Sequence, residues 1–291
     1  MSTDRLSFSH KVKEELYKQI SPARHCQLAE LSALLTFSGG LKRMAVPAEN
    51  EMFVRKCFTL LEKTFKITGY VSDGQGGRHD LIGIPDPSGK IRESLRSSVL
   101  LERACCKRAY LRGAFIAAGS VSDPQKSYHF EIAAAEKAEA FVLTELFDTF
   151  EIPAKITLRK HSHLVYIKDG EKIADALNVM EAPVALMAFE NTRIYKNVAN
   201  TINRQVNCET ANLSKTISAA VKQREAIEYA VKLPAYEELP EPVREVARLR
   251  LQFPDVSLKE LGEMCDPKVG KSGVNHRLRR IMELAETGSQ N

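Results

Sequence analysis

Near the carboxyl end, apolar positions recur at helical spacing in two short runs. Leu258, Leu261 and Met264 or Cys265 give SLKELGEMC one apolar face. Val274, Leu278, Ile281, Met282 and Ala285 do the same for SGVNHRLRRIMELA. Asp266, Pro267 and Gly270 break the pattern between them. Ser257 and Ser272 stand where a hydroxyl can accept from a free first-turn N–H, so each is expected to cap a helix. The stretch from Ser257 to Ala285 therefore reads as two helices at helix-turn-helix spacing. Ahead of it, Val243, Val246, Ala247 and Leu251 predict a helix over 243–252 that closes a three-helix unit, with Pro242 suited to its first turn.

The first two-thirds of the chain contain a repeat. LSALLTFSGGL at 31–41 matches LRGAFIAAGSV at 111–121, with Gly39 on Gly119, an offset of 80 residues. Thr64-Phe65-Lys66-Ile67 matches Thr149-Phe150-Glu151-Ile152 at an offset of 85, and the polar loop Ser122–Ser127 can hold the five extra residues. In the first copy the pattern predicts helix 28–38, a strand near 41–46, helix 50–65, strands near 68–72 and 79–84, and helix 91–105. In the second it predicts helix 108–118, a strand near 127–134, helix 135–150, strands 154–159 and 163–168, and helix 170–179. Asp73 to His79 and Arg159 to His163 read as hairpin loops. The GQGG run lacks the strand-to-helix context and Lys-Ser or Lys-Thr ending of a phosphate cradle. The small residues Ser32, Ala33, Gly113, Ala114, Ala117 and Ala118 suit a close seam between two helices at a pseudo-twofold axis.

At the amino end, Phe8, Val12, Leu16 and Ile20 share one face of an amphipathic polar helix, unlike a secretion signal. From Phe189 to Lys232 a helical connector is expected, with a break near Asn207 because Asn191, Asn197, Asn200, Asn203, Asn207 and Asn212 compete for backbone hydrogen bonds. Its amides, with Arg193, Arg204 and Lys215, can meet DNA or form a solvated face. LPAYEELPEP, with three prolines, reads as a hinge. The domains expected are 1–185, with halves 1–105 and 106–185, a connector and linker over 186–238, and an all-α helix-turn-helix domain over 239–291. The fold class is α+β.

Composition changes this picture little. The 291 residues are 44% apolar, enough for a core, and the net charge of +5 is mild. No apolar run approaches a membrane span. Cys26, Cys57, Cys105, Cys106, Cys208 and Cys265 form no C-x-x-C pair and no zinc-finger spacing with His, so they read as reduced packing thiols of a cytosolic protein. No metal, cofactor or catalytic residue is expected.

Charge is concentrated, however, at the second terminal helix. From Lys268 through Met282 there are five Lys or Arg and no Asp or Glu. Opposite the apolar stripe stand Asn275, His276 and Arg279, with Lys271 and Ser272 at the amino end and Arg277 and Arg280 flanking. Asn pairs bidentately with adenine and Arg with guanine in a major groove, while Lys and Arg hold phosphates and set the register. The partner expected is double-stranded DNA, bound by Lys268, Lys271, Ser272, Asn275, His276, Arg277, Arg279 and Arg280.

Leu111, Gly113, Ala117 and Gly119 form a motif that resembles the LAGLIDADG helix of homing endonucleases, and Leu31, Ala33, Leu34, Leu35 and Gly39 form a looser copy. The resemblance implies a duplicated α/β scaffold with a metal-binding acid at the end of each such helix. Those positions hold Ser38 and Ala118 here, and Asp123 and Glu131 lie beyond the motif. Neither Ser nor Ala can hold a hard cation as a carboxylate does. The scaffold is thus expected to be inactive. A duplicated acid-less domain, the connector NRQVNCETANLSKT (203–216), the terminal helix pair and the opening SFSHKVKEEL together resemble the WhiA family of bacterial regulators. That resemblance implies a cytoplasmic, nucleoid-associated, sequence-specific DNA-binding protein of cell division and chromosome segregation, and of sporulation in mycelial relatives. The terminal pair is also similar to the promoter-reading region of sigma factors, with a longer turn.

Residues 1–185 carry 26 Lys or Arg against 23 Asp or Glu. Lys155, Arg159, Lys160, His161, His163 and Lys168 give one half some positive charge, while the other offers Arg78 and His79 beside Asp73 and Asp80. This balance points to a protein-interaction or dimerisation platform. The competing readings are a residual nuclease and a division-machinery scaffold whose helix-turn-helix does not read DNA.

Overall fold

The computed structural model describes residues 6–67, 71–72 and 81–288. The chain divides into two compact units, Met1–Asn197 and Val198–Asn291.

The first unit opens with α1 (Phe8–Lys18), where the Ser7 hydroxyl accepts from the His10 N–H and Val12 and Leu16 are fully buried. The first half follows as α2 (Arg24–Phe37), α3 (Gly40–Arg43), β1 (Ala45–Pro47), α4 (Glu51–Phe65), β2 (Val71–Ser72), β3 (Leu81–Gly83) and α5 (Lys90–Arg96). The second half is α6 (Ala104–Ala118), β4 (Gly119–Val121), β5 (Phe130–Ala134), α7 (Lys137–Asp148), β6 (Lys155–Arg159), β7 (Ser162–Ile167) and α8 (Gly170–Val179). Each half has its own antiparallel sheet, ordered β1-β3-β2 and β4-β5-β7-β6. In β5 the buried positions alternate, so Phe130, Ile132 and Ala134 enter the core. There Phe130 stacks on Phe115 at 5.1 Å and meets Phe147 edge-on at 5.9 Å.

The repeat appears in the backbone as well as in the letters. Lys66 and Glu151, aligned by the TF-x-I match, both adopt the left-handed region, at φ 61° and 59°, Lys66 as the cap of α4 and Glu151 in the turn after α7. The seam between the halves is the packing of α2 on α6. A Cβ on Gly113 would fall 2.5 Å from the Glu30 carbonyl oxygen and 3.0 Å from the Ala33 Cβ, so only glycine permits this approach. Ala33 and Ala114 are fully buried there, while Ala117 and Ala118 are half-buried. Ser32 instead donates its hydroxyl to the Leu95 carbonyl at 2.6 Å, tying α2 to α5.

Several expectations need correction. The strand expected near 41–46 is first a helical turn, set between Gly39 and Met44 at positive φ, and only then β1. The helix expected over 91–105 splits into α5, a 3₁₀ turn at Ser98–Leu101 and the first turn of α6. The strand expected near 127–134 is the second arm of a hairpin whose first arm, β4, begins at Gly119 directly after α6. The GQGG loop, with Arg78 and His79, lies outside the described residues.

The connector is a single helix, α9 (Pro183–Ala230), with no break at Asn207. Residues 184–233 contain neither Gly nor Pro. Each Asn weakens a helix by well under about 1 kcal/mol, too little to interrupt it. The amino end of α9 is capped from α1, where the Glu15 carboxylate accepts from the Val184 and Ala185 N–H groups at 2.8 Å each. Among the described residues no helix is long and apolar enough to cross a membrane.

The second unit contains the rest of α9, a 3₁₀ turn at Pro234–Tyr236, α10 (Glu241–Gln252), α11 (Leu258–Met264) and α12 (Lys271–Gly288). Its core joins Ile227 and Ala230 of α9 to Val243, Val246 and Ala247 of α10, Leu261 of α11, and Val274, Leu278, Ile281 and Ala285 of α12. Met282, expected in the stripe, is half-buried.

Candidate nucleic-acid interface

The second unit holds α12 out on a braced support. Ser257 and Glu260 form a capping box on α11: the hydroxyl accepts from the Glu260 N–H at 3.3 Å, and the carboxylate accepts from the Ser257 N–H at 2.7 Å. The turn after α11 folds back so tightly that a Cβ on Gly262 would lie 2.0 Å from the Val269 carbonyl oxygen. In return the Val269 N–H donates to the Gly262 carbonyl at 2.9 Å. Behind the pair, the buried Arg250 guanidinium donates to Gln223 Oε1 of α9 at 3.1 Å and to the Val256 and Pro254 carbonyls at 2.7 and 3.3 Å. One side chain thus links α9, α10 and the loop entering α11.

α12 begins at Lys271, two residues earlier than a Ser272 cap requires. Ser272 stands exposed inside the first turn, and the Val274 N–H bonds the Gly270 carbonyl. Lys268, Lys271, Asn275, His276, Arg279 and Arg280 are exposed too. Arg277 is not part of this face. It is half-buried against α10, with Nη1 3.3 Å from the Pro242 carbonyl and 4.0 Å from Glu245 Oε2, and so braces α12. Asn275 and Arg279 share a groove with Lys222 and Gln223 of α9, and Glu283 and Glu286 also line it. A second groove gathers Lys215 of α9, Lys259 of α11 and Lys271 of α12. Lys222, outside the terminal pair, and Lys259, within its first helix, carry charge at this surface beyond the residues expected to bind. The signal was present, since Lys215 and Lys222 lie two turns apart on one helix.

In the first unit, Ser38 caps the carboxyl end of α2 and Ala118 is the last residue of α6. Asp123 closes its own turn by accepting from the Gln125 N–H, and Glu131 meets His129 Nε2 at 3.0 Å and the Ser120 hydroxyl at 3.3 Å. Among the described residues, no cluster of three or more potential metal ligands forms at these two helix ends. Lys155, Arg159, Lys160, His161 and Lys168 are exposed on or beside β6 and β7, and His163 is half-buried. Arg159 and Lys168 share a shallow depression with His129, Glu131 and Tyr166, where Lys168 Nζ lies 5.3 Å from the Tyr166 ring centre.

Two polar clusters in this unit escaped the sequence reading. Glu30 and Arg112 are buried across the α2–α6 seam, with Arg112 donating to both Glu30 oxygens at 3.1 and 3.0 Å and to Glu181 Oε2 at 2.7 Å. Lys56 Nζ adds a contact to Glu30 Oε1 at 2.7 Å. The second cluster gathers His25, Cys26, Cys105 and Cys106. No short motif announces it, yet the 80-residue offset that sets Gly39 on Gly119 also sets His25-Cys26 on Cys105-Cys106.

Domain models of one family match both parts of the chain: the WhiA LAGLIDADG-like domain over residues 107–199 and the WhiA C-terminal HTH domain over residues 202–285. The chain is 42% identical to "Probable cell division protein WhiA" of Lachnoclostridium phytofermentans, across 97% of this chain and 99% of that protein. It is 43% identical to the protein of the same name from Heliobacterium modesticaldum, across 98% of each. The chain belongs to the WhiA family. Its fold is similar to the crystal structure of full-length DUF199/WhiA from Thermatoga maritima, with a TM-score of 0.60, 24% identity and coverage of 97% and 99% of the two chains. The crystal structure of the N-terminal LAGLIDADG domain of DUF199/WhiA matches 62% of this chain and 95% of that one, with a TM-score of 0.50 and 22% identity. This WhiA-family chain thus pairs a LAGLIDADG-like domain, degenerate at its two acid positions, with a helix-turn-helix unit.

Proposed function

We propose that this chain is a sequence-specific DNA-binding regulator of cell division and chromosome segregation, and of sporulation where mycelial relatives sporulate. It acts in the cytoplasm on the nucleoid. One observation carries the reading: Lys268, Lys271, Ser272, Asn275, His276, Arg279 and Arg280 stand exposed at α12 and the turn before it, on a helix whose opposite stripe is locked into a core. Asn275 and Arg279 have the chemistry to read base edges, while the lysines at the amino end hold phosphate. The first unit is a non-cutting platform for protein contacts or dimerisation. Its seam helices end in Ser38 and Ala118, so purified protein with Mg²⁺ leaves duplex DNA intact.

Genome-wide footprinting supplies the target, and titrations on that duplex test the face. Asn275→Ala and Arg279→Ala each lose ~1–3 kcal/mol of discrimination between target and mismatched duplex. Lys268→Ala weakens binding to all sequences alike and flattens the salt dependence by about one ion. Arg277→Ala, which removes a brace, lowers stability before it alters discrimination. Unchanged binding in the Asn275, Arg279 and Lys268 variants would overturn the reading and leave a scaffold protein instead.

A further inference from the structure

Ligand atoms from two sequence segments converge where α2 and α6 begin. His25 and Cys26 lie in the first turn of α2, Cys105 and Cys106 in the first turn of α6, and one ligand atom from each falls within 4.8 Å of all the others. His25 Nδ1 is 3.1 Å from Cys106 Sγ, 3.3 Å from Cys26 Sγ and 3.9 Å from Cys105 Sγ. We propose that these four side chains bind one zinc ion as a Cys3His site, clamping the two halves of the first unit together at the seam.

The distances favour coordination. Tetrahedral zinc with Zn–S of about 2.3 Å and Zn–N of about 2.0 Å needs ligand atoms roughly 3.5–3.8 Å apart. The observed separations bracket that range, so small side-chain adjustments suffice. Three thiols and an imidazole form a borderline-soft donor set that suits zinc and not magnesium or calcium. Cys26 and Cys106 are buried, His25 is half-buried and Cys105 is exposed, giving a site closed on the protein side with a path for entry.

The protons balance. Zn²⁺ displaces three protons, one from each cysteine, and leaves a neutral-imidazole complex of net charge −1. That charge sits at the amino ends of two helices, where the backbone dipoles favour an anion. The site also lies at the opposite end of the seam helices from Ser38 and Ala118, so it is distinct from the lost nuclease positions. Ordinary finger spacing is absent because each repeat supplies one adjacent pair.

The test uses the full chain, purified under reducing conditions from zinc-supplied medium. Elemental analysis should find about one zinc per chain. After removal of zinc, Co²⁺ should give the d–d bands of a tetrahedral site and sulfur-to-metal charge transfer, with affinity rising steeply with pH as three protons leave. Cys105→Ala changes an exposed residue and His25→Ala a half-buried one, so both should remain folded by circular dichroism and lose at least tenfold in Co²⁺ affinity. Cys208→Ala, exposed on α9, should bind normally. Absence of zinc together with no charge-transfer band overturns the proposal. So does binding indifferent to both the Cys105 and His25 substitutions. A Cys26–Cys106 disulfide in protein that takes up no metal after reduction would make the cluster a redox pair instead, and would also overturn it.

Discussion

Glu30 and Arg112 carry opposite charges at a seam that solvent does not reach. Their desolvation is offset only because every contact is made: a bidentate pair, a third bond to Glu181, and Lys56 sharing Glu30 Oε1 with Arg112 Nε. Burial pulls the Lys56 ammonium pKa down, against the opposing pull of Glu30. Two carbonyls, those of Leu16 and Gln19, also accept from Lys56 and anchor α1. Arg112→Met leaves Glu30 with Lys56 alone and should cost about 3–5 kcal/mol, near the lower end because one cation remains. Urea unfolding of the full chain, followed by a probe in the first unit, measures it. Adding Glu30→Met to that variant should deepen the loss, since it strands the buried Lys56 ammonium without its carboxylate. None of this cluster is legible in the letters. Glu30 and Arg112 each interrupt an apolar helix with one polar residue, and nothing local says that the two interruptions face each other. Gly113 beside them is different: as a small residue in a repeated helix it marked the seam correctly, because close approach leaves a compositional trace where charge pairing does not.

Helix ends and faces were legible where their chemistry is local. Ser257 and Glu260 stand three apart before an apolar run, and the structure forms the capping box that this spacing implies. Ser272 misleads because the fold-back at Gly262 and Val269 starts the next helix two residues early. The length of α9 was harder to read. Its apolar positions Ile194, Val198, Ile202 and Val206 keep helical spacing but stay exposed, so periodicity there reports helix without reporting a core. The capping box also gives a pH signature. Hydrogen bonds from the Ser257 backbone N–H, then its side chain, hold the Glu260 carboxyl below the usual range. A carboxylate with a lowered folded-state pKa stabilises the fold above its unfolded value, about 4.3, and that contribution disappears as pH falls through the folded value. Glu260→Gln should therefore be less stable than the parent at neutral pH, with the gap closing in acid below both values. Urea titrations of both proteins across pH 2–7, read in the second unit, check the sign. A gap that widened in acid would contradict the assignment.

At the scale of the molecule, two units share one uninterrupted helix, and this decides what counts as the DNA-binding module. Read as sequence, the polar, Asn-rich stretch before the prolines looks like a tether, which places the module's start at 239. The structure assigns the end of α9 to the second unit, where Ile227 and Ala230 are fully buried in the core and Gln223 accepts from the buried Arg250. A tether and a core helix differ here by only a few side chains, too few to show in composition. The consequence is testable with two fragments. Residues 198–291 carry every member of the second core and should unfold cooperatively and bind the footprinted target. Residues 239–291 lose three buried core residues, Ile227, Ala230 and Tyr236, leave Arg250 without its amide partner, and fall in the size range where a single small core is marginal. That fragment should melt broadly in circular dichroism and bind at least tenfold more weakly, although it contains the whole helix-turn-helix face. A sharp transition and full affinity from 239–291 would mean that α9 contributes nothing to holding α12, and that the Gln223–Arg250 contact is incidental.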